Sequence, residues 1–152
     1  MAEAPHITVA CVIQKDNRFL LVREKSAGQI VYNQPAGHLE PGESLIAAAE
    51  RESLEETGWQ VKVEHFLGIY QYTSPHDGIS YVRHCFVATP IKEVEYAELD
   101  SDILDCCWLP HDEIVALKSE LRSPMVLSVL HDFVQGKIYP LSIIQRDNGD
   151  HR

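Results

Sequence analysis

The sequence predicts an α/β sandwich, α+β in its segregation of helices from strands, around a mixed β-sheet. Three observations carry that expectation. Runs rich in β-branched and aromatic residues recur at strand length, two stretches have helix-forming composition closed by glycine, and the helices fall at separate places instead of alternating regularly with strands. With 152 residues, 45% of them hydrophobic, the chain can bury one core and not two. A single domain is expected over residues 1–147, followed by a disordered tail at 148–152.

In chain order, "HITVACVIQ" reads as a first strand, and "KDN" as a turn into a second, "RFLLVRE", so the sheet opens with a hairpin. "EKSAGQIVYN" reads as a polar loop. In "QPAGHLEPGE", Pro35, Gly37, Pro41 and Gly42 forbid a helix before Glu43. From Ser44 to Thr57 the alanines and glutamates favour a helix, with Gly58 as its stop. "WQVKVEHFLGIYQYTS" and "ISYVRHCFVAT" form a second hairpin across the turn residues "PHDG". "PIKEVEYAELDSDILD" reads as an acidic loop leading to a short strand, "CCWLP". "HDEIVALK" gives a short helix, and "SPMVLSVLHDFVQG" a longer one, with Ser123 as cap, Pro124 in first position and Gly136 as stop.

Charge narrows the function. A formal net charge of −10, from 23 acidic residues against 13 Lys plus Arg, leaves no basic face for a nucleic-acid backbone or an anionic membrane. Small phosphate compounds stay open as partners, because a divalent cation inverts the local field of clustered carboxylates. Cys11, Cys85, Cys106 and Cys107 follow no zinc-like spacing and are expected to be buried reduced thiols. The N-terminal stretch lacks a basic region and an unbroken apolar run, so it reads as a strand in a cytoplasmic protein, not a signal peptide or membrane span.

Chemistry concentrates in the first helix. At about 100° per residue, Glu52, Glu55 and Glu56 share one face, where like charges oppose helix formation. Arg51 can pair with Glu55 one turn on, but one guanidinium cannot neutralise three carboxylates. The same arc holds Leu45, Ala48 and Ala49, so the acids extend an apolar stripe. Hard oxygen donors converging from one helix suit Mg²⁺, with Mn²⁺ as substitute, completed by phosphate oxygens of a substrate. A bare cluster of this kind is more often a solvated acidic face. The preceding "GHLEPGE" alters that balance, because Gly37 and Gly42 let the backbone turn tightly beside a ligand.

Residues 37–59 resemble the Nudix box, G-x5-E-x7-R-E-U-x-E-E-x-G-U with U a bulky apolar residue, at Gly37, Glu43, Arg51, Glu52, Glu55, Glu56 and Gly58, with Trp59 as the last U. Ser53 departs from the pattern, standing where a bulky apolar residue is expected. "HITVACVI", "NQPAGHLE", "DSDILDCCW" and "LRSP" extend the resemblance, to a bacterial phosphatase branch of that family, over nearly the whole chain. It implies a Nudix-type α/β/α sandwich and metal-dependent hydrolysis of nucleoside tri- and diphosphates, extending to the pyrophosphate of the thiamine pyrimidine precursor. It also implies that Glu52 and Glu56 are the main metal ligands, that Glu55 binds or orients a further metal, and that a backbone carbonyl near Ala36 or Gly37 completes the set. Arg51 and Glu43 would hold loop and helix in register.

Several acids compete for the role of general base, among them the box glutamates and Glu98, Asp100 and Asp102. Arg23, Arg83 and Arg122 are candidates for phosphate, with Arg23 ranked first because it ends a strand before the loop into the box; a surface ion pair is its competing role. His38 is a further candidate contact, and Tyr32, Tyr70, Tyr72 and Tyr81 could each stack a base or pack in the core. The rivals are a noncatalytic nucleotide sensor, a pyrophosphatase of nucleoside diphosphates linked to another group, and isomerase chemistry on a prenyl diphosphate. The intact acid set disfavours the first, and nothing places Cys85 or Cys106 for the last. A monomer or small homo-oligomer is expected.

Overall fold

The computed structural model describes residues 3–95 and 97–146, so the tail expected at 148–152 lies outside the described residues. Seven strands form one mixed sheet: β1 (His6–Lys15), β2 (Arg18–Ser26), β3 (Gln29–Asn33), β4 (Ala36–His38), β5 (Trp59–Thr73), β6 (Ser80–Glu93) and β7 (Ile103–Pro110). Its spine runs β3-β2-β1-β6-β5, while β4 pairs with β1 and β7 with β2. β1 and β6 run parallel, and the other pairs are antiparallel. The helices are α1 (Leu45–Thr57), α2 (His111–Ala116) and α3 (Met125–Val134).

The layering follows from β1, which is buried from Thr8 to Ile13 without the alternation of a half-exposed strand. Val9, Cys11 and Ile13 pack with Ala48 and Ala49 of α1, Phe66 and Phe86. Ala10 and Val12 pack on the other face with Ile114 of α2 and Val129 and Leu130 of α3. A strand that needs apolar cover on both faces places helices on both, which makes the three layers. Tyr70 ties α3 to the sheet by donating to Asp132 Oδ2 at 2.7 Å. No helix among the described residues is long and apolar enough to cross a membrane.

Two expected loops are strand in part. The "EKSAGQIVYN" segment extends β2 to Ser26, turns at Ala27 and Gly28, both with positive φ, and returns as β3. A turn of two left-handed residues matches strand twist, and its Ala-Gly signal is weaker than Asn-Gly. The "PIKEVEYAELDSDILD" segment likewise gives its first residues to β6 and its last to β7, because pairing with β5 and β2 overrides their polar composition. At α3 the helix starts one residue later than expected, so the cap position is Pro124 and not Ser123, which lies one residue outside and accepts the Met125 N–H at 3.2 Å. Cys11 and Cys85 are buried free thiols, whereas Cys106 and Cys107 are only half-buried.

Ser53, the departure from the box, is fully buried, and its hydroxyl donates to Ala49 O at 2.8 Å. α1 therefore keeps its packing against the sheet with a small residue whose polar atom is satisfied one turn back. Trp59 packs edge to face on Trp108, with ring centroids 5.6 Å apart.

Candidate active site

The strand β4 delivers Gly37 to the start of a short loop, and Ser44 ends that loop by accepting the Ala47 N–H at 3.0 Å as the cap of α1. Gly58 closes the helix in the left-handed conformation, φ 76°, with its N–H on Leu54 O. These two ends fix which face of α1 looks back at β4. On that face Glu52 and Glu56 are buried, unusual for glutamates.

Arg51 binds loop to helix. Its Nε and Nη2 donate to the two Glu43 oxygens at 2.6 and 3.0 Å, Nη2 also reaches His38 O at 3.1 Å, and Nη1 reaches Glu52 Oε1 at 2.8 Å and Glu55 Oε2 at 3.1 Å. Glu43 bonds back to the Glu40 N–H at 3.2 Å. The Arg51 hydrogen bond holds the Glu43 carboxyl below its ordinary range. Burial pushes the Glu52 carboxyl up even though Arg51 opposes the shift, and burial raises Glu56 to about 8, against the Ala36 N–H that Glu56 Oε1 accepts at 2.8 Å. In both carboxyls burial outweighs the hydrogen bonds that favour the charged form.

The supply of oxygens is ample. One carboxylate oxygen from each of Glu52, Glu55 and Asp100 lies within 4.8 Å of the others. Asp100 is brought there by its own N–H, which donates to Glu55 O at 3.1 Å at the end of α1. This all-oxygen donor set fits a hard divalent cation, and Glu56 lies outside the set, one turn on from Glu52, with its Oε1 held by the Ala36 N–H.

These groups open into a cleft of ≈ 660 Å³, whose lining includes Gly37, His38, Glu52, Glu56, Asp100, Asp102, Arg83 and Arg122, with Tyr72 and Tyr81 at cross-strand positions. Among the arginines the structure reverses the ranking. Arg23 is absent from that lining and forms a bidentate pair with Asp105 at 2.7 and 2.6 Å, so the candidate ranked first for phosphate is a surface ion pair. Its hydrogen bond depresses the Asp105 carboxyl. Glu98 is exposed and outside the lining, and Tyr70 is committed to Asp132. His38 lies at the rim, its Nε2 2.9 Å from His6 Nδ1, and burial lowers its pKa.

Sequence reasoning missed Glu24, Asn33 and Gln34, all buried. Glu24 and Asn33 line the cleft. Adjacent residues on β2 face opposite sides of the sheet, so Arg23 meets Asp105, its partner on β7, while Glu24 lines the cleft.

The layered fold and a cleft carrying both carboxylates and guanidiniums define a site that can take a cation and a phosphate together on an α/β/α scaffold. The NUDIX domain matches residues 4–129, well over half of the chain, and the chain belongs to the Nudix hydrolase family. It is 41% identical over 141 residues to the phosphatase NudJ of Escherichia coli strain K12, covering 92% of this chain and 90% of that one. A NUDIX hydrolase structure from Nitrosomonas europaea superposes with a TM-score of 0.93 at 42% identity, over 97% of this chain and 100% of its own. The MutT protein of Methanosarcina mazei Go1, at 20% identity, shares the fold with a TM-score of 0.72 over 90% of this chain and 99% of its own. The protein is thus an enzyme that hydrolyses phosphoanhydrides.

Proposed function

We propose that the enzyme is a Mg²⁺-dependent hydrolase of nucleoside tri- and diphosphates, with the pyrophosphate of the thiamine pyrimidine precursor as a further substrate and Mn²⁺ as a substitute ion. The observation that carries this reading is the meeting of Glu52, Glu56 and Asp100 with Arg83 and Arg122 in one cleft. Acids alone would repel a polyphosphate, and guanidiniums alone would not activate water. NudJ is a phosphatase by name, and its 41% identity supports the same branch of chemistry.

Glu52 and Glu56, with Glu55 and Asp100 beside them, would hold the ion, and the missing side chain at Gly37 makes room for the Glu52 carboxylate. When bound, the ion supplies charge neutralisation on the phosphate oxygens and acidifies water. The chain's own residues do the rest. Arg51 holds Glu52 and Glu55 in place against Glu43, so the donor set is fixed before substrate arrives. Arg83 and Arg122 bind the phosphate chain, and Tyr72 and Tyr81 offer ring faces to the organic group. A water oxygen bonds to phosphorus as the bridging P–O bond breaks, and a cleft carboxylate, with Asp100 or Asp102 as the candidates outside the helix, receives the water proton.

The test is a screen for phosphate and pyrophosphate release over nucleoside di- and triphosphates and the thiamine-precursor pyrophosphate, with Mg²⁺, Mn²⁺ or chelator. Release that chelator abolishes is expected. Tight nucleotide binding with no release across the panel would move the assignment to a sensor.

A further inference from the structure

Outside the box, four side chains form an unbroken hydrogen-bonded chain along the cleft. Arg83, on β6, is only 4% exposed, and it donates from Nη1 to Gln34 Oε1 at 3.2 Å and from Nη2 to Asn33 Oδ1 at 2.9 Å. With its oxygen facing a guanidinium, the Asn33 amide turns its nitrogen to Glu24 Oε1 at 3.2 Å. The same Glu24 oxygen accepts from Arg122 Nη1 at 2.7 Å. Glu24, Asn33, Arg83 and Arg122 all line the cavity that holds Glu52 and Glu56.

The charges along this chain do not cancel. Two guanidiniums share one carboxylate, and among the described residues Arg83 touches only neutral amides. Burial accordingly pushes the Arg83 guanidinium below its ordinary value. Arg83 is thus buried with no carboxylate in direct contact, an arrangement that an arriving anion improves even though Glu24 and Glu56 favour its charge from a distance. Each guanidinium carries five N–H donors, and the amide and carboxylate contacts use two on Arg83 and one on Arg122. Planar donors left over on two arginines in one cleft match the oxygens of a single phosphoryl group.

We propose that Glu24 and Asn33 are positioning residues that hold Arg83 and Arg122 as a two-guanidinium clamp for one phosphoryl group of the substrate. The clamp rests on the substrate reading given above and adds two residues outside the Nudix box to the binding machinery. Glu24 anchors Arg122 through a single oxygen, and Asn33 relays that anchor to Arg83. Orientation, not net charge, is their contribution, since Glu24 itself reduces the positive charge of the clamp.

The test uses the full chain and imidodiphosphate, whose P–N–P bridge resists hydrolysis, with binding measured by calorimetry at saturating Mg²⁺ and again in chelator. Arg122→Ala should weaken binding roughly tenfold, as loss of a charged hydrogen bond does. Glu24→Ala should weaken it by a similar factor in the native background and add little in the Arg122→Ala background, because the two act as one unit. Glu24→Gln keeps an acceptor oxygen for both donors and should bind at least as tightly as the native protein. If Glu24→Ala does not fold by its melting curve, Asn33→Ser takes its place in the same cycle. The clamp is overturned if native protein does not bind the probe, if the loss is equal with and without Arg122, or if Glu24→Gln is as weak as Glu24→Ala. Phosphate release from a nucleoside triphosphate by the same samples separates the two readings. Clamp-dependent binding with no release sinks the substrate assignment alone, whereas release with binding indifferent to Glu24 and Asn33 sinks the clamp alone.

Discussion

A Cβ built on Gly37 would overlap the carboxylate of Glu52, so the turn and the motif helix approach as closely as only a glycine permits. Gly37 pairs with Val9 in β4, which leaves its backbone no freedom to retreat, and it lacks the positive φ of Gly42 and Gly58. The requirement at this position is space. Gly37→Ala should force the Glu52 carboxylate to another rotamer and lower turnover about 10- to 100-fold, as displaced metal-site groups do. The clash is with the end of a flexible side chain, so the melting temperature should change little. An alanine variant with native turnover would show that Glu52 need not occupy its observed position.

Arg51 predicts a second effect. Lysine would keep the charge but not the fork that meets both Glu43 oxygens while reaching Glu52, Glu55 and His38 O. Arg51→Lys should therefore reduce kcat by at least about tenfold. Glu43→Gln, which retains one acceptor oxygen, should fall between the lysine variant and the native enzyme. Steady-state kinetics at saturating Mg²⁺ decide the matter, and a lysine variant within a factor of two of native would reject the anchoring role.

Glu56 makes the metal-free protein sensitive to pH. Burial raises its carboxyl from 4.5 to about 8, so between those values the folded chain holds a proton that the unfolded chain has lost. That contribution to stability is present below the unfolded value and is lost as pH rises through about 8. Glu52 shifts the same way, whereas Glu43 and Asp105, both depressed, act at pH values below those of unperturbed carboxylates. In chelator the melting temperature should fall from pH 5.5 toward 8.5, and Glu56→Gln should flatten that slope. Saturating Mg²⁺ should stabilise the protein more at pH 8 than at pH 6, because the ion needs the ionised carboxylate. A rising metal-free profile over that interval would contradict the burial argument.

The extent to which the sequence was legible follows from the range of each interaction. α1 could be read closely because Ser44, the alanines and Gly58 act within a turn of themselves, and Arg51 meets Glu55 at helical spacing. β3 was lost because its evidence is pairing with β2, which no local composition records. The cleft divides the same way. Glu52 and Glu56 were legible from a motif, whereas Glu24 gains its place from a partner, Arg122, 98 positions later in the chain. Buried Arg83 was visible only as one arginine among several, since its two amide partners sit some fifty positions earlier in sequence.

Arg23 supplies the final prediction, because its expected role and its observed one differ. Position before the box suggested a phosphate ligand, yet its guanidinium is turned to Asp105 on the neighbouring strand and shares no wall of the cleft. The pair is partly open to solvent, with the two side chains 36% and 50% exposed, so screening leaves it a small role in stability. Arg23→Ala should leave both kcat and KM within about twofold of native, while Arg83→Ala and Arg122→Ala raise KM roughly tenfold. The three variants assayed on one nucleoside triphosphate make the comparison internal, since any general loss of folding would show in their melting curves. If Arg23→Ala raised KM as far as the other two, substrate would have to draw its guanidinium away from Asp105, and the cleft would extend beyond the walls seen in the structure.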